Sequence, residues 1–207
     1  LVAQILTFDL SWLSPVLLIV GIIAHMNYEH GGRRRHIARV LIGIGLVLLS
    51  LSLIKQASAP LTESETLPLI LGPLNNDPVT AIVFAALLTW FMHSSLAAVL
   101  LFAALASGGI IDLHLGALLI LGANLGGAFI AFIVTYKDGV TARQITSGNI
   151  IMRCATLVIL FIFLDPVLAL LTQYDFDTAR HLVNLHVVFN LLLAVIFLPS
   201  VSLIAKL

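Results

Sequence analysis

Charge is what this sequence has least of. Only 10% of its 207 residues are Asp, Glu, Lys or Arg, where soluble domains carry roughly 25%, and 10 acidic and 10 basic side chains cancel to a formal net charge of zero. No global field exists to hold nucleic acid, which argues against a binder of phosphate backbones. Cysteine is nearly absent as well: Cys154 stands alone, so no disulfide can form within the chain, and it reads as a small apolar helix residue. The opening "LVAQIL" lacks the basic stretch that precedes the apolar core of a signal peptide. It reads as the tail of a helix already under way, and the chain is expected to be a fragment of a longer protein. What is abundant is hydrocarbon, with 60% hydrophobic residues and a mean hydropathy of +1.14. The expected fold class is all-α, a polytopic transmembrane helical protein.

Five apolar stretches could cross a bilayer: Trp12 to Met26, Ala38 to Ile54, Leu115 to Tyr136, Ile150 to Leu164 and Leu182 to Leu198. Several are short. The 17 residues from Ala38 to Ile54 make about 25 Å of helix against a hydrocarbon core of about 30 Å, so such spans must recruit flanking residues or sit in a thin bilayer. Arg33, Arg34, Arg35 and Arg39 crowd the connection between the first two stretches, which places it in the cytoplasm. The acidic, proline-rich segment ending near Asp77 suits the outer side, and the loop with Lys137 and Arg143 the inner side. The segment with Asp165, Asp175 and Asp177 then fits outside, and Lys206 inside again.

Between Asp77 outside and Lys137 inside, the chain must cross an odd number of times. Three apolar pieces lie there, Val79 to Met92, Leu96 to Ala106 and Leu115 to Tyr136. Only the last can span alone, because the 11 residues from Leu96 to Ala106 reach about 16 Å. The first two are therefore predicted to form a re-entrant helical hairpin over residues 79–106, with His93, Ser94 and Ser95 at its tip.

Those three residues interrupt one of the most apolar regions of the chain, and a second patch, "LGANLGGAF", sets Asn124 among Gly122, Gly126 and Gly127. Unpaired polar groups in hydrocarbon cost several kcal/mol, so irregular backbone at membrane depth survives only where protein or a wet cavity surrounds it. At the first patch, the N-terminus of the following half-helix would point free N–H groups and a partial positive charge at an anion. Ser94 and Ser95 would add hydroxyls or act as caps, unless they merely bond back to a helical carbonyl. At the second, the glycines are expected to let the helix unwind, freeing carbonyls that with Asn124 could ligate an alkali cation. Close helix packing is the equally weighted alternative for those glycines.

"MHSSLAA" from Met92 to Ala98 and "GANLGGA" from Gly122 to Ala128 carry a resemblance to the sodium/phosphate cotransporter family, whose two inverted repeats each hold a Gln-Ser-Ser motif followed by Gly-Ala-Asn-x-Gly-Thr-Thr. "HLVNLHVVFNLLLAVIFLP" is similar to the family's closing helix, through His186, Phe189 and Asn190. The resemblance implies one half of an inverted-repeat transporter. Residues 1–78 would hold the end of the first repeat. Residues 79–207 would hold the second, with the hairpin over 79–106, a discontinuous helix over 115–136 and spans over 150–164 and 182–198.

It further implies a multi-pass protein of a bacterial inner membrane that couples sodium entry to movement of inorganic phosphate. The first Gln-Ser-Ser repeat would lie upstream of Leu1, and a PhoU-like domain could lie beyond Leu207. Ser94 and Ser95 with His93 would bind phosphate; Asn124, Gly122, Ser94 and Ser95 would bind sodium as the coupling ion. No other metal, no cofactor and no nucleic acid is expected. His93 stands where the family has glutamine, and Gly127 and Ala128 where it has paired threonines. A neutral histidine standing in for the amide is favoured over a pH sensor.

Other residues read more plainly. His186 and Asn190, four apart on one helical face with Asn184 nearby, suit an interhelical polar clamp rather than a metal site. His181 and His186 are spaced poorly for joint ligation; Arg153, near the inner end of a span, could neutralise phosphate but is rather expected to snorkel to the interface; Asp112 and His114 are expected to be solvated in a short turn. An intramembrane serine hydrolase using Ser94 with His186 or His93 is an alternative, weakened by the lack of a Gly-x-Ser-x-Gly elbow. A non-transporting membrane scaffold for a regulatory partner is another.

Overall fold

The computed structural model describes residues 12–27, 32–174 and 176–200, and among these every regular element is a helix. The chain divides into two compact units, residues 1–59 and 60–207. The repeat boundary expected at Val79 concerns internal symmetry rather than packing.

In the first unit α1 (Leu13–Asn27) and the long α2 (Arg33–Thr62) meet through small residues. A Cβ on Gly21 would lie 2.8 Å from the Ile42 side chain, and one on Gly45 2.8 Å from Leu18. Such bare contacts let helix backbones approach closely where burial of oil against oil supplies no drive. The buried Ser14 hydroxyl donates to the Gly45 carbonyl at 2.9 Å, stitching the same face. The 30 residues of α2, about 45 Å of helix, remove the shortfall expected for Ala38 to Ile54: polar flanks at both ends continue the helix beyond its apolar centre. Among the described residues four helices are long and apolar enough to cross a membrane, Arg33–Leu61, Leu113–Thr135, Val140–Ile162 and Thr178–Phe197. The expected first span, α1, has 15 residues, about 22 Å.

The second unit opens with the short α3 (Leu67–Leu71) and a 3-10 turn (Gly72–Asn76), then α4 (Pro78–Met92) and α5 (Ser95–Ser107). Asp77 starts α4: its carboxylate accepts from the Thr80 N–H at 3.1 Å, and Pro78 follows in the first turn, where its missing N–H costs nothing. The break expected at the hairpin tip falls at His93 and Ser94. His93 takes the left-handed conformation, φ 54°, that ends a helix and usually belongs to glycine. Its Nδ1 lies 2.9 Å from the Phe91 carbonyl oxygen. Ser94 is extended, and its hydroxyl accepts from the Ala97 N–H at 3.2 Å as the cap of α5.

Next comes α6 (Leu113–Thr135), capped by Asp112, whose carboxylate accepts from the Leu115 N–H at 2.7 Å. Leu115 to Asn124 are all buried, which makes α6 the centre of this unit, against α4, α5, α7 (Val140–Ile162) and α9 (Thr178–Phe197). A short α8 (Leu164–Leu171) lies between the last two. Helix α7 begins well before the Ile150 expected from hydropathy, because the polar run from Thr141 to Asn149 is helical too. Asp112 and His114 are exposed, as anticipated.

The discontinuous helix expected around Asn124 is not observed. Helix α6 runs unbroken through Gly122, Gly126 and Gly127, so its carbonyls are committed to the i to i+4 ladder. The glycines serve contact instead. A Cβ on Gly122 would sit 2.3 Å from the Ile82 carbonyl oxygen, and one on Gly126 2.4 Å from that of Ala86. Spaced four apart, the two form a groove into which α4 settles backbone against backbone.

Candidate functional site

Asn124 lies at the middle of α6 with no exposed surface. Its Nδ2 donates to the Ile120 carbonyl one turn back at 2.9 Å. That fixes the amide and aims Oδ1 outward, where it accepts from Asn190 Nδ2 of α9 at 3.2 Å. Asn190 Nδ2 also donates to the His186 carbonyl at 2.8 Å and stands 3.4 Å from His186 Nε2. The polar clamp expected from His186 and Asn190 is therefore present, with Asn124 as its counterpart.

Arg153 of α7 completes the cluster and corrects the expectation of snorkelling. Its Nη1 donates to the Asn124 backbone carbonyl at 2.9 Å and lies 3.4 Å from Asn124 Oδ1. Its Nε donates to Asn149 Oδ1 at 3.3 Å. The guanidinium is turned into the protein because a helical carbonyl and two amides wait there, whereas hydropathy alone cannot say which way a long side chain points. Three helices, α6, α7 and α9, thus meet on one neutral amide.

Of the residues singled out at the hairpin tip, Ser95 faces this region. Its Cβ is 3.1 Å and its Oγ 3.4 Å from the place a Cβ on Gly127 would take, three residues along α6 from Asn124. A threonine at 127, as in the family motif, would press on Ser95; glycine leaves Ser95 its room. Ser94 stays half-buried as the α5 cap. His93 is exposed and bonded back to its own helix, so the structure does not bring its ring to Asn124. Gly122 lies against α4, and in this conformation its carbonyl is a rung of the helix. No hydrogen bond joins Ser94 to a histidine among the described residues; its hydroxyl is engaged as a cap.

Two features escaped the sequence. Thr89 of α4 is fully buried and faces Gly126, and among the described residues its hydroxyl has no hydrogen-bond partner; His186 Nδ1 is buried without one there as well. Nothing in the sequence flagged Thr89. Asn149, four residues before Arg153 and so on the same helical face, could have been paired with it. Among the described residues no group of three or more His, Cys, Asp or Glu could hold a metal ion.

A cation and several amides enclosed among helices long and apolar enough to cross a membrane place the chain in the class of polytopic membrane proteins. The family described as Na+/Pi-cotransporter matches residues 1–56 and 60–198. The chain belongs to that family. It is similar to the "Putative inorganic phosphate export protein YjbB" of Salmonella typhimurium and to its namesake in Escherichia coli K12, each 34% identical over 206 residues, 100% of this chain. The chain spans 38% of the length of those relatives. It also resembles the "Uncharacterized protein YqeW" of Bacillus subtilis, 23% identical over 192 residues, 93% of this chain and 62% of the relative. No solved structure matches it.

Proposed function

We propose that this chain is the substrate-binding half of a secondary transporter that moves inorganic phosphate across a bacterial inner membrane, coupled to sodium entering down its gradient. The observation that carries the reading is the approach of Ser95, at the start of α5, to the α6 turn between Asn124 and Gly127. It sets the two motif segments side by side within a chain of the Na+/Pi-cotransporter family. In this reading Ser94, Ser95 and the first N–H groups of α5 receive the phosphate oxygens. Asn124 Oδ1 and the two hydroxyls are hard oxygen donors for sodium, and Gly122 belongs to the same turn of α6. His93, exposed beside them, would form the rim.

The re-entrant placement of α4 and α5 and the inverted repeat, with a partner half in the same polypeptide, belong to this proposal. So does any PhoU-like domain. The similar relatives carry the name of phosphate export proteins; phosphate leaving as sodium enters is exchange and phosphate entering with it is symport, and the flux assay separates the two. The test is phosphate flux in proteoliposomes of the full-length protein, with sodium gradients imposed in either direction. Phosphate flux that changes with the imposed sodium gradient is expected; phosphate movement indifferent to sodium would remove the coupling, and none at all would remove the reading.

A further inference from the structure

We infer that Arg153 is an oxyanion-binding residue of the transport pathway, held by Asn124 and Asn149 between cycles and offered to the phosphate during one. The inference rests on the phosphate-transport reading and adds to it the residue that supplies fixed positive charge.

Arg153 lies 13 residues beyond Val140 and 9 before Ile162 in α7, about 20 Å and 14 Å from the helix ends. It therefore sits deep in a helix able to cross the membrane. A cation at that depth is costly unless it has a counter-charge or a role, and such residues usually face the interior of a bundle. Arg153 does face the interior, but its partners there, the Asn124 carbonyl, Asn124 Oδ1 and Asn149 Oδ1, are all neutral. Among the described residues it makes no ion pair. Neutral carbonyl and amide oxygens hold the guanidinium in place while leaving its charge without a counter-ion.

Geometry supplies the second support. Its hydrogen bonds use Nη1 and Nε, while Nη2 makes none to a described residue. The planar fork therefore keeps donors for two oxygens of one anion. Asn124, the residue that holds it, is three positions from Gly127, against which Ser95 lies, a displacement of about 4.5 Å along α6. In this inference a single tetrahedral oxyanion is shared between Ser95, against Gly127, and Arg153, against Asn124. The facing groups from α9, Asn190 and His186, add no negative charge.

The test uses the full-length protein reconstituted in liposomes, comparing wild type, Arg153→Gln and Arg153→Lys for phosphate KM, maximal flux and half-saturating sodium. Glutamine can still donate to the Asn124 carbonyl, so it keeps the structural bond and loses the charge. Loss of a charge-assisted pair to the anion is expected to raise the phosphate KM of Arg153→Gln by about 30-fold, with half-saturating sodium within about threefold of wild type. Lysine, which keeps charge without the fork, should fall between. A phosphate KM within about threefold of wild type in Arg153→Gln, with melting in detergent unchanged, overturns the inference and leaves phosphate transport standing. Should Arg153→Gln fail to fold, Arg153→Lys decides: a KM raised about 5-fold or more supports the assignment, and a wild-type KM rejects it. Absence of flux in the wild type would instead reject the underlying reading.

Discussion

Replacing Gly126 with alanine places a methyl carbon 2.4 Å from the Ala86 carbonyl oxygen and 2.8 Å from Thr89 Cβ. Carbon contacts are at ease near 3.5–4.0 Å, so α4 must withdraw from α6 by about 1 Å, and the obstacle is backbone, which cannot rotate aside. Overpacking of this kind costs about 1–3 kcal/mol, partly offset by the better helix propensity of alanine, worth about 1 kcal/mol. The glycines of this protein provide a graded control. Gly127→Ala meets Ser95 Cβ at 3.1 Å, a side chain that can give by a few tenths of an ångström, and Gly43→Ala meets nothing within 4 Å. Thermal unfolding of the detergent-solubilised protein should therefore rank Gly43→Ala at or above wild type, Gly127→Ala slightly below, and Gly126→Ala lowest. Phosphate flux should fall most in Gly126→Ala, since withdrawal of α4 carries the tip serines away from Asn124. Equal melting of Gly126→Ala and Gly43→Ala would show that close helix approach is not what these glycines provide.

Ser94→Ala removes the cap of α5 and should cost about 1 kcal/mol, while Ser94→Thr keeps the acceptor and most of that stability; melting curves distinguish them. Asn190→Leu leaves Asn124 Oδ1 with only the longer contact to Arg153, and should cost about 1–2 kcal/mol by the same measure. The bonds from Thr80 hold the exposed Asp77 carboxyl below its ordinary value of 3.8. A lowered folded pKa means the stabilisation is full above about 3.8 and is lost as pH falls through the lower, folded value. The melting difference between wild type and Asp77→Ala should accordingly be constant from pH 7 to pH 5 and shrink in stronger acid.

The helical class and the tip of the hairpin were legible because polar residues are conspicuous against so much hydrocarbon: His93, Ser94 and Ser95 stand out, and the chain does break there. Helix ends were not, since hydropathy is blind to helical turns built from polar residues, as between Thr141 and Asn149 of α7. The glycines of α6 were legible as a feature and ambiguous in meaning, because absence of a side chain permits both unwinding and close approach. Their spacing of four, one helical face, is the property that favours approach. Arg153 was visible but its direction was not: which way a long cation turns depends on acceptors brought by other helices, Asn124 above all, and no local pattern encodes that.

The turn joining α4 to α5 leaves almost no slack. With a left-handed residue and an extended one as the whole connection, neither helix can travel far without dragging its neighbour. Beneath them, the notches at Gly122 and Gly126 seat the backbone of α4 directly on α6. A change in the tip is therefore shared by both helices and must be taken up at that contact, one residue row from the amide on which α7 and α9 meet α6.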